Sequence, residues 1–144
     1  PPHNSTLELS SAASDVYKRQ EQSREQLFDF NWSVGRRADR MGLQLEGSTL
    51  EVTSDGRMQS APVFPGTVQC PESGSPYILS VDAGTVGGYP RVAQIMRADR
   101  HLLGQLRPGD PVRLLWREQQ AAVDELRAKH DYWRAWLPDI EQVI

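Results

Sequence analysis

The sequence has little cysteine, three scattered histidines and no long apolar run. The single cysteine, Cys70, excludes a disulfide within the chain and argues against a cysteine-based zinc site. The histidines have no metal-ligand spacing, so no metal is predicted. No stretch approaches the roughly 20 apolar residues that a membrane-spanning helix needs. A secretory signal is not visible either, and we expect a cytoplasmic protein.

The charge is nearly balanced, with 16 Lys and Arg against 19 Asp and Glu and a formal net charge of -3. This balance gives no reason to expect nucleic acid or an anionic membrane as a partner. A length of 144 residues, 24% of them charged and 38% hydrophobic, fits one globular domain with a sizeable core. Because the first residue is Pro1 and not methionine, we expect a piece of a longer protein.

The sequence divides into three segments that differ in composition and hydrophobic pattern. Residues 1–25 are mostly small and polar, and we expect a disordered or non-native tail outside the fold. Residues 26–117 carry short apolar runs bounded by glycine and proline, which predict one barrel domain. Residues 118–144 begin with a run rich in Ala, Glu, Leu and Arg, which predicts a helical extension that stops near Pro138.

Several runs alternate apolar and polar residues, the pattern of strands with one buried face. The predicted strands are residues 27–32, 41–46, 50–52, 67–70, 77–81, 92–97 and 112–116. A short helix is predicted over residues 99–106, with Asp99 as its cap. Many short strands with frequent turns favour a mainly β fold with flanking helices, as a barrel or a sandwich.

The stretch from Ser80 to Arg91 carries the candidate chemistry, because a carboxylate, three glycines and a guanidinium follow an apolar strand. Glycines allow a ligand to approach main-chain amides closely. Asp82 is a candidate to accept a hydrogen bond from, or deprotonate, an amide or urea N–H. Arg91 is a candidate to stabilise an oxygen that gains negative charge. The alternative is that Asp82 and Arg91 only tie the turn together by a salt bridge.

Two longer motifs carry a family resemblance. Residues 65–110 read PGTVQCPESGSPYILSVDAGTVGGYPRVAQIMRADRHLLGQLRPGD, and residues 39–47 read DRMGLQLEG. They resemble the signatures of the carboxyltransferase-type family that includes the C subunit of 5-oxoprolinase, allophanate hydrolase subunit 2 and the carboxyltransferase region of urea carboxylase. The motifs stand in the family's order over residues 28–116.

The resemblance implies a cyclophilin-like β-barrel, with a site between two halves of a longer subunit. It also implies an enzyme, a C-terminal piece of an ATP-dependent 5-oxoprolinase that opens a lactam together with partner subunits. ATP would belong to the assembly, because the chain lacks the Gly-Lys-Ser/Thr of a phosphate-binding loop. A related version would move a carboxyl group from carboxybiotin on a carrier partner to urea or another amide. The piece alone is expected to be inactive without the N-terminal half.

Departures from the family pattern bear on the substrate. Ala83, Gly84 and Val86 replace the Arg, Gln and second Thr common in urea carboxylases. Asp39 stands where asparagine is frequent, and Gln44 where arginine is frequent. These changes favour the oxoprolinase-like branch over urea.

Beyond Asp82 and Arg91 as catalytic residues, the matching positions give candidate substrate-binding residues. They are Thr85, Gly87, Gly88, Tyr89, Arg40, Glu46 and Gln69. For Arg40 and Glu46 the alternative is an ordinary cross-strand ion pair. The alternative for Gln69 is that its side chain closes a strand edge, and the alternative for Tyr89 is that its ring packs against the fold.

The rival function is a regulatory module without catalysis. Some members of the family act by association with kinase-inhibitor proteins. In that case the barrel would bind such a partner protein, and Asp82 and Arg91 would sense a ligand or stabilise the loop.

Overall fold

The computed structural model describes residues 6–13, 21–51 and 60–137. Its strands are β1 (Leu7–Ala13), β2 (Trp32–Ala38), β3 (Gly42–Glu46), β4 (Ala61–Pro62), β5 (Thr67–Gln69), β6 (Tyr77–Leu79), β7 (Val86–Gly87), β8 (Arg91–Ile95) and β9 (Pro111–Trp116). Its helices are α1 (Glu21–Asp29), a 3₁₀ helix (Arg97–Gln105) and α2 (Gln119–Arg134). None of these helices is long and apolar enough to cross a bilayer.

Seven of these strands form a closed barrel in the order β1-β8-β5-β6-β3-β2-β9, and β9 pairs back onto β1. Neighbouring strands are antiparallel, apart from the parallel pair of β1 and β9. Strands β4 and β7 form a separate two-stranded sheet, which we call the ribbon. The prediction of a mainly β barrel with flanking helices is therefore confirmed.

Alternating residues of the strands fill the barrel. Leu45 on β3 and Leu114 on β9 are fully buried, and so are Val68 and Ile78, which face each other across β5 and β6. Trp32 is 1% exposed, and its indole Nε1 donates a hydrogen bond to the carbonyl oxygen of Leu27 at 3.0 Å. The largest core side chain is thus buried with its polar atom satisfied.

The predicted strand over residues 27–32 is wrong in its first half. Helix α1 runs to Asp29, and β2 begins only at Trp32. The residues of α1 include no glycine, proline or β-branched side chain, which favours a helix. Leu27 and Phe28 are then buried by packing of α1 against β9 rather than by strand alternation.

The structure also differs from the expectation that residues 1–25 stand outside the fold. Strand β1 closes the barrel between β8 and β9. Leu9 and Ser11 are fully buried, and the Ser11 hydroxyl donates to the carbonyl oxygen of Leu115 at 3.3 Å. Alternation of Leu7, Leu9 and Ser11 supplies a buried face although the segment is rich in small residues.

The predicted strand at residues 50–52 is not found in its described part. Leu50 is 4% exposed and lies outside any strand, tied by its N–H to the carbonyl oxygen of Gly74 at 2.8 Å. Val52 lies outside the described residues.

Helix α2 is confirmed, and it is attached to the barrel through the 3₁₀ helix. Asp99 is not the cap that we predicted, because Met96 holds that position. The Asp99 carboxylate lies 3.4 Å from Nζ of Lys129 on α2. The same Nζ donates a hydrogen bond to the carbonyl oxygen of Ala98 at 3.0 Å. One lysine thus joins the two helices.

Core packing predicts a contrast between two residues of the β2–β3 hairpin. Leu45 is fully buried, whereas Met41 is 56% exposed. We expect Leu45→Ala to lower the free energy of unfolding by about 2–5 kcal/mol, through lost contacts and a residual cavity. The control Met41→Ala should change it by less than about 0.5 kcal/mol. Guanidinium chloride unfolding measures both, and equal effects would contradict the packing.

The lone thiol gives a prediction on pH. Burial raises the pKa of Cys70 from 9.0 to about 11. At about pH 8 the folded chain should carry about 100-fold less thiolate than the unfolded chain, and iodoacetamide should alkylate it correspondingly more slowly. The stability contributed by the protonated thiol is complete below pH 9.0 and is lost as pH rises toward about 11. Equal alkylation rates with and without denaturant would contradict this.

Candidate functional site

The stretch from Ser80 to Arg91, which we call the glycine-rich segment, lies along the turn that joins β2 to β3. The Ser80 N–H donates to the carbonyl oxygen of Met41, and the Asp82 N–H donates to that of Arg40, each at 3.0 Å. The turn is fixed by the Asp39 carboxylate, which accepts from the Met41 N–H at 2.8 Å. Two segments about 40 residues apart in the sequence therefore meet at one end of the barrel.

An ion pair marks this meeting point. Arg40 Nε lies 2.8 Å from Oδ2 of Asp82, and the two side chains are 84% and 46% exposed. The sequence does not predict this pairing, since it sets Arg40 against Glu46 and Asp82 against Arg91. The structure thus brings one predicted binding residue to one predicted catalytic residue, with both open to solvent.

A polar row crosses four strands of the barrel. Residues directly opposite each other in the register are Arg91 on β8, Gln69 on β5, Tyr77 on β6 and Gln44 on β3. The alternate residues Leu43, Val68 and Ile78 are buried in the core, so the row lies on the other face of the sheet. Gln69 and Arg91, both predicted from the sequence, are therefore cross-strand neighbours.

A β-bulge sets the direction of Arg91. The register between β5 and β8 shifts between Val68 and Gln69, so that Ala93 opposes Val68 and Arg91 opposes Gln69. Val92 is the extra residue, and both Val92 and Ala93 are buried. The bulge thus returns Arg91 to the polar face. Its Nη1 donates to the carbonyl oxygen of Pro62 in the ribbon at 3.5 Å.

The ribbon covers Gln69. Gly87 on β7 pairs with Ala61 on β4, and the Val63 N–H extends the ladder to the carbonyl oxygen of Thr85 at 3.0 Å. A Cβ on Gly87 would overlap Nε2 of Gln69, so the ribbon backbone lies directly on that side chain. Gln69 is only 6% exposed as a result.

The remaining candidates divide into two groups. Thr85 and Gly88 are exposed on the glycine-rich segment, and Tyr89 is 56% exposed there rather than packed. Glu46 lies elsewhere, at the opposite end of β3 and about 13 Å from Gly42. Its side chain lies against Gly35 on β2, with Oε1 2.6 Å from where a Cβ on that glycine would stand. The structure does not bring Arg40 and Glu46 together, because the length of β3 separates them.

Burial also changes the acidity of one residue in the row. Desolvation, and then the negative charge of Asp39, raises the pKa of Tyr77. The phenol therefore keeps its proton, and its hydrogen-bond donor, to a higher pH than an ordinary tyrosine does. Among the described residues, no group of three His, Cys, Asp or Glu side chains could hold a metal ion.

The same segments carry a set of exposed apolar side chains, which we call the rim patch, and sequence reasoning named only Tyr89 among them. Its members are Met41, Phe64, Val81, Val86 and Tyr89, between 56% and 73% exposed. The available signal was their position among glycine, proline and turn residues, where an apolar side chain has no core to enter. Large exposed apolar side chains are candidates for contact with a partner surface. A separate surface depression of about 200 Å³ lies at Glu25, Phe28, Asp29 and Trp116 and contains none of the predicted site residues.

The chain is thus a closed mixed barrel that carries a glycine-rich segment and an acid–guanidinium pair at one end. The model of the family "Carboxyltransferase domain, subdomain A and B" matches residues 4–116. The chain belongs to this carboxyltransferase domain family.

Two curated proteins are similar in sequence to this chain. The chain is 38% identical over 104 residues to the C subunit of 5-oxoprolinase from Escherichia coli (strain K12), covering 72% of the chain and 32% of that protein. It is 36% identical over 113 residues to the corresponding 5-oxoprolinase protein of Haemophilus influenzae, covering 78% and 35%. The chain thus spans about a third of the length of these curated relatives.

A solved structure shows the same fold. The crystal structure of Kluyveromyces lactis urea carboxylase superposes with a TM-score of 0.75, covering 83% of this chain and 12% of that one at 20% identity. Urea carboxylase therefore supports the barrel architecture.

The exposure of the rim ion pair predicts that it contributes little to folding. Exposed pairs are worth about 0–1 kcal/mol, because solvent screens the charges. We expect Arg40→Ala and Asp82→Ala each to shift the free energy of unfolding by less than about 1 kcal/mol in guanidinium chloride unfolding. A much larger loss for either variant would show that the pair is part of the folding core.

Proposed function

We propose that the chain is the C-terminal part of an enzyme like the C subunit of 5-oxoprolinase, acting on a small lactam, amide or urea substrate. The observation that carries this proposal is the solvent-open ion pair of Arg40 and Asp82 beside the glycine-rich segment. The identity to two 5-oxoprolinase C subunits supports the lactam 5-oxoproline as the substrate. The departures at Ala83, Gly84 and Val86 point the same way.

The chemistry assigned to the rim uses complementary charges. Asp82 accepts the substrate N–H, or its proton, because a carboxylate bound by Arg40 through one oxygen keeps further acceptor positions. Arg40 and Arg91 supply guanidinium donors to an oxygen on which negative charge develops. Thr85, Gly87, Gly88 and Tyr89 surround the substrate from the glycine-rich segment. Glu46 stands too far along β3 from Arg40 to share this site, so we leave it out of the mechanism.

The residues present do not fit an ATP phosphate site. The glycine-rich segment runs into strands β7 and β8 instead of a helix, and Gly-Lys-Ser/Thr is absent. We therefore assign ATP to other subunits of the assembly and derive no nucleotide step in this chain. In the carboxyl-transfer version, carboxybiotin on a carrier partner supplies the carboxyl group. In that version the exposed Tyr89 ring and the Arg91 guanidinium would hold the biotin ring.

The rim patch gives the proposal a partner surface. Since the chain matches only about a third of its relatives, we propose that the unmatched N-terminal half of the protein covers Met41, Phe64, Val81, Val86 and Tyr89. Other oxoprolinase-type subunits complete the assembly. The site then lies between the two halves, and the chain alone is inactive.

The rim patch also favours a second candidate, a regulatory module that binds a kinase-inhibitor-like protein without catalysis. In that role the exposed apolar side chains supply the contact, and Asp82 senses a ligand or holds the loop. The two candidates differ in whether the Asp82 carboxylate is needed for turnover.

The test is ATP-dependent release of glutamate from 5-oxoproline by the complete assembly. We expect Asp82→Asn to lower kcat by about 100-fold or more, because the variant cannot take up a proton. The matched control Glu72→Gln changes an exposed carboxylate in the turn between β5 and β6 and should leave kcat unchanged. Full turnover by Asp82→Asn would remove the residue from catalysis and favour the regulatory module.

A further inference from the structure

One side chain of the polar row has an unused hydrogen-bond donor. Gln69 is 6% exposed, and its Nε2 is buried with no hydrogen-bond partner among the described residues. Leaving a buried donor unpaired costs stability, and native structures rarely do so without a reason. A leucine of similar size would avoid this cost, so the carboxamide calls for a role beyond packing.

The donor is aimed at a part of the structure that is weakly held. Nε2 lies against Gly87 of the ribbon, where no Cβ would fit. The ribbon has two residues in each strand, and two-stranded sheets are marginally stable by themselves. The hydrogen bond from Arg91 Nη1 to the carbonyl oxygen of Pro62 is long, at 3.5 Å.

A carboxamide matches one class of ligand better than others. Gln69 offers an N–H donor and a carbonyl acceptor side by side. A lactam holds its own N–H and carbonyl oxygen on the same edge, so the two groups can exchange two parallel hydrogen bonds. Urea presents the same edge. A carboxylate would satisfy only the donor, and a quaternary amine would satisfy neither.

We propose that Gln69 is the specificity-determining residue for the amide edge of the substrate, which enters beneath the ribbon between Gly87 and Gln69. This inference rests on the proposed function and deepens it, since it separates two tasks. Gln69 pairs with the amide edge when the neutral substrate first binds, and Asp82 receives the N–H proton only in the chemical step at the rim. The ribbon must lift for the ligand to enter.

The experiment measures equilibrium binding to this chain by NMR, with no ATP, no other protein and no turnover. The probes are γ-butyrolactam, N-methyl-γ-butyrolactam, which lacks the N–H, and urea at non-denaturing concentration. We expect γ-butyrolactam to shift the Gln69 side-chain amide and the Gly87 backbone amide and to bind more tightly than its N-methyl form. Relative affinity for lactam and urea then identifies which source of the amide edge the site prefers. The absence of shifts at Gln69 with both γ-butyrolactam and urea would overturn the proposal.

Substitutions at Gln69 distinguish a role in ligand binding from a role in the stability of the fold. We expect Gln69→Leu to weaken γ-butyrolactam binding about tenfold or more. The same variant should keep or raise the guanidinium chloride midpoint, since it removes an unpaired buried donor. The matched control Gln44→Leu makes the same change in the same row, on β3, and should leave binding unchanged. Unchanged binding by Gln69→Leu, or equal losses in both variants, would overturn the proposal.

A second substitution protects the test if Gln69→Leu does not fold. Gln69→Met keeps an unbranched side chain without an amide, and it should show the same loss of lactam binding. Failure of this inference differs from failure of the proposed function. Loss of turnover in Asp82→Asn with lactam binding intact in Gln69→Leu would overturn the role of Gln69 alone.

Discussion

The register of four strands, β8, β5, β6 and β3, is the constraint on which the rest of the structure depends. Because side chains alternate between the two faces, the pairing of Val68 with Ile78 inside the barrel fixes Gln69 and Tyr77 outside it. A slip by one residue would exchange the core and the polar row. The bulge at Val92 absorbs the irregularity between β5 and β8 and keeps Arg91 in that row. The same contacts that exclude water from the core therefore also position the candidate site.

The folding core and the candidate site occupy different parts of the barrel. The core is apolar and closed, and its one indole is satisfied by a main-chain carbonyl. The rim holds solvent-exposed charges and apolar side chains, which contribute little to folding. Residues of the glycine-rich segment can therefore change without disturbing the packing beneath them.

Local patterns predicted much of the fold. The period-two runs that became β3, β5, β6, β8 and β9 were bounded by glycine and proline, and α2 lacked both. The small residues of β1 concealed a strand whose buried face emerges only from its pairing with β8 and β9. At the site, the sequence indicated Asp82, Arg40 and Gln69 but not their arrangement. The Arg40–Asp82 pair and the burial of Gln69 arise from hydrogen bonds between distant segments, which no local period encodes.

Helix α2 has a different relation to the barrel. None of its side chains is buried, the family match ends at residue 116, and Lys129 supplies its polar tie to Asp99 and Ala98. Among the described elements, α2 packs mainly against the 3₁₀ helix. We therefore expect α2 to fray or detach before the barrel unfolds. A fusion or a proteolytic cut in the segment between β9 and α2 would then leave every strand of the barrel intact.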